Sequence, residues 1–348
     1  MLKNKKIAVV FTADIIGGHE LMAIEHIKKQ LKKNIDITCF IPMGNKKLAD
    51  IFSENEIEFQ YHLVKHKRME IIHSFVNFIY LYKAISFLNK IKKSHEEIII
   101  VQGDIELGSG FVNASRLTST KITSYIPYAH TFRKMGSKVA WLKDALSYFT
   151  YGYCRNYITI CETFKYELEK KTKGATVKVL KNFVSPAPIE QIRNVGYVYK
   201  PNKDKLRILM AGRVYFRQKG QDKLLYAASK MDIDVDILVI GDGPDLNSLK
   251  EIARNLPANI NVQFIGWKNN VWEHAYEIDL VVMPSNFEGV PLIMLESLER
   301  NVPIIAPARD GMLDYLSDEF LYEVGSDFDE CESLRKKLMN FSEYYKNR

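Results

Sequence analysis

Two glutamates, Glu288 and Glu296, bracket the apolar run of "NFEGVPLIMLE", with a Gly and a Pro between them. Glu296 lies among Ile293, Met294, Leu295 and Leu298, where a carboxylate costs free energy unless something pairs with it. Pro291 suits the first turn of a helix, where its missing N–H costs nothing. The helix is therefore expected to start near Val290 to Leu292, with its free amides and positive dipole end beside Gly289, an anion site. Glu288 falls in the loop just before that start. Glu296 falls about a turn and a half inside, at ~3.6 residues per turn, where it could accept two hydrogen bonds from vicinal hydroxyls such as those of a ribose. The plainer reading makes Glu296 an ordinary helix residue and Glu288 a partner of the helix dipole.

A second group is "AGRVYFRQKG", residues 211–220. A strand ends at Ala211, Gly212 frees the backbone, and Arg213 and Lys219 follow. Arg offers planar, bidentate recognition and Lys a point charge, which is what a diphosphate needs. An exposed basic loop would carry the same letters. In the first half, "IIGGHE" sets Gly17 and Gly18 between a strand and a helix. The spacing is not that of a dinucleotide fingerprint, but it allows close approach by a phosphate or sugar. "YIPYAHTFRK" puts His130 right after a strand, followed by Thr131, Arg133 and Lys134.

The elements that must position these groups alternate along the chain. "KIAVVFTA", "DITCFIP", "EIIIVQG", "KITSYIPYA", "YITIC" and "VKVLKN" read as strands with helical stretches between several of them. After a polar, Pro-containing linker, "NVGYVYKPNKDK", the pattern restarts with "LRILMAG", "DVDILVIG", "VQFIGW", "DLVVMPS", "VPIIAP" and "FLYEVG". Such alternation implies parallel sheets covered by helices on both faces. The expected fold is α/β: two doubly wound, Rossmann-like domains facing across a cleft, residues 1–198 and 199–325, with a final helix over 326–348 packing back toward the first. Open α/β sheets bind ligands at the carboxyl ends of their strands. Gly212 and Arg213, Gly241 to Gly243, Gly266 and Trp267, and Ser285 to Pro291 are the positions to inspect.

The length of 348 residues fits two domains better than one. No run reaches the ~18 apolar residues of a membrane span. "IIHSFVNFIYLYKAISFL", interrupted by His73, Asn77 and Lys83, reads as one long amphipathic helix. The basic, then apolar start has an apolar run of only Ile7 to Phe11, read as a first strand and not a signal peptide. Cys39, Cys154, Cys161 and Cys331 show neither metal spacing nor a paired framework, so a reducing cytoplasm is expected.

The net charge of +7 is unevenly spread: residues 1–200 hold 31 Lys and Arg against 18 Asp and Glu, whereas 201–348 hold 18 against 24. Either the first half has solvated helix faces, or it meets an anionic surface. Nucleic acid is not expected, because no recognition motif accompanies the charge. Anionic phospholipid or a phosphate-bearing acceptor fits better.

Taken together, these stretches resemble the retaining nucleotide-sugar glycosyltransferases of the GT-B fold, specifically glycosyltransferase family 4. The family pattern has a Gly-Gly loop after the first strand (Gly17 and Gly18) and a His after a mid-domain strand (His130). It continues with a "GR…KG" segment opening the second domain (Arg213 and Lys219) and an "EGxPLxxLE" segment (Glu288 and Glu296). "NVPIIA" departs from the common "GxPVIA", Asn301 standing where the pattern has Gly. This reads as a turn variant.

The resemblance implies that Arg213 and Lys219 hold the donor diphosphate, Glu296 the ribose hydroxyls and Glu288 the donor sugar. Amides around Gly289, Val290 and Leu292 would support the phosphates. Gly212, Gly266 and Trp267 would line the donor site, with Gly17, Gly18 and His130 on the reacting face. It implies retention, a nucleotide-sugar donor as substrate and no metal or other cofactor. The basic charge and the amphipathic helices of the first domain suggest a glycan or lipid-linked glycan acceptor, which fits bacterial surface polysaccharide synthesis. The basic first domain would dock on the inner face of the cell membrane. A catalytically degenerate partner subunit and a nucleotide-sugar epimerase of the same fold are the alternatives. His19, Glu20, Asp14 and Asp104 receive no role.

Overall fold

A computed structural model describes residues 6–14, 16–172, 174–188, 205–275 and 277–346. The chain divides into two compact units, 1–182 and 183–348. The boundary expected at 198/199, and most of the linker stretch around it, lie outside the described residues.

The first unit opens with β1 (Lys6–Phe11), α1 (Gly18–Leu31), β2 (Asp36–Pro42), α2 (Lys46–Glu54) and β3 (Phe59–His62). It continues through α3 (Glu70–Val76), α4 (Phe78–Ile91), β4 (Glu97–Val101), α5 (Ser109–Leu117) and β5 (Thr123–Tyr125). α6 (Ala140–Tyr153), β6 (Asn156–Thr159), α7 (Glu162–Thr172) and β7 (Thr176–Val179) complete it. Its seven strands form a parallel sheet in the order β3-β2-β1-β4-β5-β6-β7. β1 sits at the centre, Ile7 facing Ile37 on one side and Glu97 on the other. Val9, Val10 and Phe11 are buried, as expected for a strand covered on both faces.

The second unit holds β8 (Lys205–Ala211), α8 (Phe216–Lys219), α9 (Gln221–Ala228), β9 (Asp234–Ile240), α10 (Leu246–Arg254) and β10 (Ile260–Gly266). After these come β11 (Leu280–Val282), α11 (Leu292–Glu299), β12 (Ile304–Pro307), β13 (Leu321–Tyr322) and α12 (Asp327–Lys346). The sheet order is β10-β9-β8-β11-β12-β13, again parallel. Both sheets reverse direction beside their first strand, the switch point where open α/β sheets take ligands. α12 packs against α9, β12 and β13.

All six strands expected in the second unit form. In the first, β3 escaped the reading because "FQYH" carries two exposed residues on an edge strand. The strand expected over "KITSYIPYA" shrinks to three residues. Ile126 donates one further bond to the Ile158 carbonyl at 2.8 Å, and Pro127 then has no N–H to extend the ladder.

The single helix expected over residues 71–88 is two, α3 and α4, bent by 89°. Asn77 breaks it: its backbone is extended, with φ −99° and ψ 94°, and its Oδ1 accepts the Tyr80 amide at 3.0 Å as the N-cap of α4. Among the described residues no single helix is long and apolar enough to cross a membrane; the bent α3–α4 pair passes by length and composition only. All four cysteines are buried, and none forms a disulfide.

Candidate functional site

The strongest concentration of chemistry follows the strands of the second sheet. β8 ends at Ala211, and the next residues turn across the sheet edge on glycines. Gly212 has φ +141°, a conformation that L side chains rarely adopt. Its amide bonds the Ile240 carbonyl at 3.0 Å, and the Val214 amide bonds Asp242 O at 2.9 Å. A Cβ on Gly241 would lie 1.9 Å from Gly212 O, and one on Gly243 2.1 Å from Val214 O. Backbone therefore packs on backbone, and only glycine fits at both positions. A cavity of about 740 Å³ opens against this edge between Gly212–Arg213, Gly241–Pro244 and Trp267–Lys268.

Arg213 is exposed, 5.9 Å from the Tyr215 ring, and forms no ion pair with a described residue. Gly266 ends β10 at φ +77° with open space where a Cβ would stand, and Trp267 is 68% exposed. Arg213, Gly212 and Trp267, three of the residues read from sequence, thus line one cavity.

Lys219 and Glu288 form a separate pair beside it. Lys219 Nζ donates to Glu288 Oε1 at 2.5 Å, and the Ser285 hydroxyl donates to the same oxygen at 2.9 Å. Lys219 Cε would sit 3.8 Å from a Cβ on Gly212, so the lysine adjoins the turn that carries Arg213. The Glu288 side chain is 3% exposed and that of Lys219 23%. The two residues read separately as diphosphate and sugar ligands are bonded to each other. A buried carboxylate without such a partner would be costly.

Helix α11 begins at Leu292 with Pro291, at φ −64° and ψ 133°, as its N-cap. Pro291 thus precedes the first turn instead of opening it, and the helix starts at the end of the expected window. Gly289 and Val290 are buried just before it. The Glu288 amide donates to Asp310 Oδ2 at 2.9 Å, which anchors the loop that leads into α11. Glu296 is half-buried on α11, and its Oε2 accepts the Trp272 indole N–H at 2.8 Å. The Arg300 guanidinium stacks 4.7 Å from the Trp272 ring. Burial pushes the Arg300 pKa down, and the charges of Glu296 and Glu299 oppose that shift. Asn301, where the family pattern has Gly, takes φ 52°, a region Asn tolerates better than most residues.

A buried network missed from sequence ties these loops together. Lys223 Nζ on α9 reaches Asn286 Oδ1 at 2.5 Å and Glu330 Oε2 at 2.7 Å. Arg309 pairs with the other oxygen of Glu330 and donates to Asn286 O at 2.6 Å. Asn286 also donates from its amide to Gln218 O at 2.8 Å and from Nδ2 to the Phe216 and Arg217 carbonyls. The Lys219 loop and the Glu288 loop are thereby held in fixed register. Asn286, next to "FEG", carried a local signal. Arg309 and Glu330 carried none, because only the fold brings them to Lys223.

In the first unit, Gly17 caps α1. Its amide donates to Glu20 Oε2 at 2.7 Å, and His19 Nε2 lies 2.5 Å from Glu20 Oε1. A Cβ on Gly18 would meet nothing within 4 Å. His130 is 3% exposed and stands edge-on to Phe164 at 4.9 Å. It lies five residues beyond β5 and not directly after it, because the strand stops early. Asp104 accepts the Glu106 and Leu107 amides at 2.8 and 3.1 Å, a local turn.

Comparison with known proteins decides the class. Residues 197–347 match the family model of "Glycosyl transferases group 1". The match falls within the second unit, and the chain is a glycosyltransferase. An uncharacterized glycosyltransferase of Haemophilus influenzae is 22% identical over 324 residues, 88% of this chain and 82% of that protein. The lipopolysaccharide 1,6-galactosyltransferase of Escherichia coli is 28% identical over 154 residues, 42% of this chain and 40% of its own length.

Among solved structures, the lipopolysaccharide outer core galactosyltransferase WaaB superimposes with a TM-score of 0.71 at 17% identity, covering 98% of this chain and 94% of that one. Anabaena Alr3699/HepE in complex with UDP-glucose gives 0.69 at 14% identity, covering 98% and 91%. At such identities the likeness concerns the fold: the glycosyltransferase has the two parallel-sheet, GT-B architecture that its sequence led one to expect.

Proposed function

We propose that this glycosyltransferase moves a sugar from a nucleoside-diphosphate donor to a lipid-linked glycan acceptor in bacterial surface polysaccharide synthesis, with retention and without a metal ion. The observation that carries the donor half is the edge of the second sheet. Arg213, on a glycine turn beside a 740 Å³ cavity, adjoins the Lys219–Glu288 pair within the group 1 match. Departure of the nucleoside diphosphate puts charge on phosphate oxygens and leaves an oxocarbenium-like sugar. Arg213, Lys219 and the amides from Gly289 to Leu292 are fixed positive groups able to stabilise that charge. Glu288 then faces the donor sugar. Glu296 holds the ribose hydroxyls with one oxygen while Trp272 fixes the other. Retention follows if the acceptor attacks the same face and gives its proton to the leaving phosphate.

The acceptor half draws on the relatives, two of which are named as lipopolysaccharide galactosyltransferases, and on the α3–α4 corner. Val76, Phe78, Ile79 and Tyr82 are 63%, 81%, 73% and 70% exposed there, with Lys83 and Lys90 exposed on α4. An apolar knuckle with lysines suits peripheral docking on an anionic bilayer.

The test is nucleoside diphosphate release from UDP-, GDP- and ADP-sugars with a chelator present, for wild type and Glu296→Ala. Slow turnover of one donor, reduced about tenfold or more in the variant by loss of roughly 1–2 kcal/mol of hydrogen bonding, is expected. No turnover and no donor-induced thermal shift across the panel would remove the proposal. Turnover that requires a divalent ion would remove its metal-free part.

A further inference from the structure

Two histidine–glutamate pairs stand at the carboxyl edge of the first sheet. The His19–Glu20 pair braces the Gly17 loop, and the His19 side chain is 18% exposed. The other is built differently. Glu70, at the start of α3, is 1% exposed. Its Oε1 accepts the Gly108 amide at 2.9 Å and the Tyr80 hydroxyl, and its Oε2 lies 2.7 Å from His66 Nδ1. A carboxylate held from three sides is a fixed point, and it orients an imidazole whose side chain is 36% exposed.

We infer that His66, oriented by Glu70, is an acceptor-binding residue whose Nε2 receives a hydrogen bond from a hydroxyl of the sugar acceptor. The inference rests on the transferase reading and deepens it on the first unit. A carboxylate can only accept, so the neutral imidazole places its proton on Nδ1 and leaves a lone pair on Nε2. A carboxylate behind a functional histidine commonly sets its tautomer and orientation in this way.

The position suits a ligand. His66 follows β3, on the edge that also carries Asp14 after β1 and Asp104 to Glu106 after β4, where open sheets bind their ligands. The surroundings suit a neutral polyol. Asp14 and Glu106 both act electrostatically on His66, and Lys143 is bonded to Glu106 at 2.6 Å. Carboxylates beside the ring accept from sugar hydroxyls, and Lys65, Lys67 and Arg68 flank His66 in the chain.

The hydrogen bond to Glu70 raises the His66 pKa, burial opposes the shift, and the charges of Glu70, Asp14 and Glu106 add to it. Accepting a hydroxyl requires the neutral ring. Transfer to acceptor therefore falls as pH drops through this raised value, which lies above the ordinary ~6.5.

The test uses the full-length protein, its best donor from the panel and n-octyl β-D-glucoside and β-D-galactoside as sugar probes. The ratio of probe-dependent transfer to probe-free donor release is measured between pH 5.5 and 9. In His66→Ala this ratio falls about tenfold, the value of one hydrogen bond, and His66→Gln, whose amide oxygen can accept, recovers part of it. In Glu70→Gln the acid limb moves toward the ordinary histidine pKa. An unchanged ratio in His66→Ala, or an acid limb that stays in place in Glu70→Gln, overturns the inference. Nitrogen NMR of the wild-type His66 ring supplies a check free of variants: the Nδ1–H tautomer is expected, and the Nε2–H tautomer overturns it. Wild-type donor release without probe separately checks the transferase reading.

Discussion

The ligand edges of the two units are built from different materials. In the second unit, opposite charges are locked in pairs and triads: Lys219 with Glu288, and Lys223 and Arg309 with Glu330. In the first, the buried carboxylates Glu20 and Glu70 face imidazoles, Asp104 turns its own loop, and an ion pair, Lys143 with Glu106, stands beside them. The difference matches what the proposed function asks each edge to hold. A diphosphate needs fixed cations, and a cation fixed inside a protein needs a carboxylate behind it. A neutral sugar needs hydrogen-bond acceptors of defined tautomer, which a carboxylate–imidazole pair provides. The glycines do not divide this way, since Gly266 of the second unit faces open space as Gly18 of the first does. Gly241 and Gly243 admit no Cβ because backbone meets backbone.

The largest effect should come from cutting the ionic tie of the second unit. Glu330→Ala leaves Lys223 and Arg309, 6% and 16% exposed at their side chains, without their shared partner. Loss of one partner from a buried pair costs about 3–5 kcal/mol, and denaturant titration of the protein should show it. A change below about 1 kcal/mol would mean that the network does not hold the loops. Next, Lys219→Ala should lower donor turnover by about 10²–10³, the usual result of removing one preorganised donor to a developing anion. Steady-state kinetics would show the loss in kcat. A change confined to KM would recast Lys219 as a ground-state contact.

The first unit should announce itself through pH. Burial pushes the His62 pKa down to about 4, against the hydrogen bond from its Nε2 to Phe11 O at 2.8 Å. The unfolded chain titrates this residue near 6.5, so between about pH 6.5 and 4 the unfolded state binds the extra proton. Stability should therefore decline across that window by roughly 3 kcal/mol. His66 runs the other way: its raised pKa gives stability that is complete below the unfolded value and lost as pH rises through the folded one. Thermal unfolding from pH 7.5 to 4, with His62→Gln expected to flatten the acid slope, separates the two. The smallest effect belongs to Gly18→Ala, expected within about 0.5 kcal/mol of wild type because its Cβ meets nothing within 4 Å. A large loss of donor turnover in this variant, without loss of stability, would instead place a ligand against that loop.

Much of this was legible in the letters. Runs of Val, Ile and Leu bounded by Gly and Pro marked all six strands of the second sheet, because buried parallel strands need apolar residues on both faces. Arg213, Gly212 and Trp267 were legible as neighbours because parallel strands deliver the residues after them to one edge. The helix over residues 71–88 was misread because one Asn with an extended backbone outweighs eighteen residues of favourable periodicity. His130 was placed too close to its strand because the loss of one N–H at Pro127 ends a ladder that composition would continue.

What the sequence by itself determined is the alternation of strands and helices, the sheet edge to which the residues after the strands are delivered, and the residue types gathered there. Those follow from local periodicity and from the parallel topology it enforces. Only the tertiary structure decided the partners. Lys219 with Glu288, Arg309 and Lys223 with Glu330, Trp272 with Glu296, and Tyr80 and Gly108 with Glu70 lie 10 to 107 residues apart in the chain. A buried charge must be matched, but the match can come from any part of the chain that the fold brings within reach.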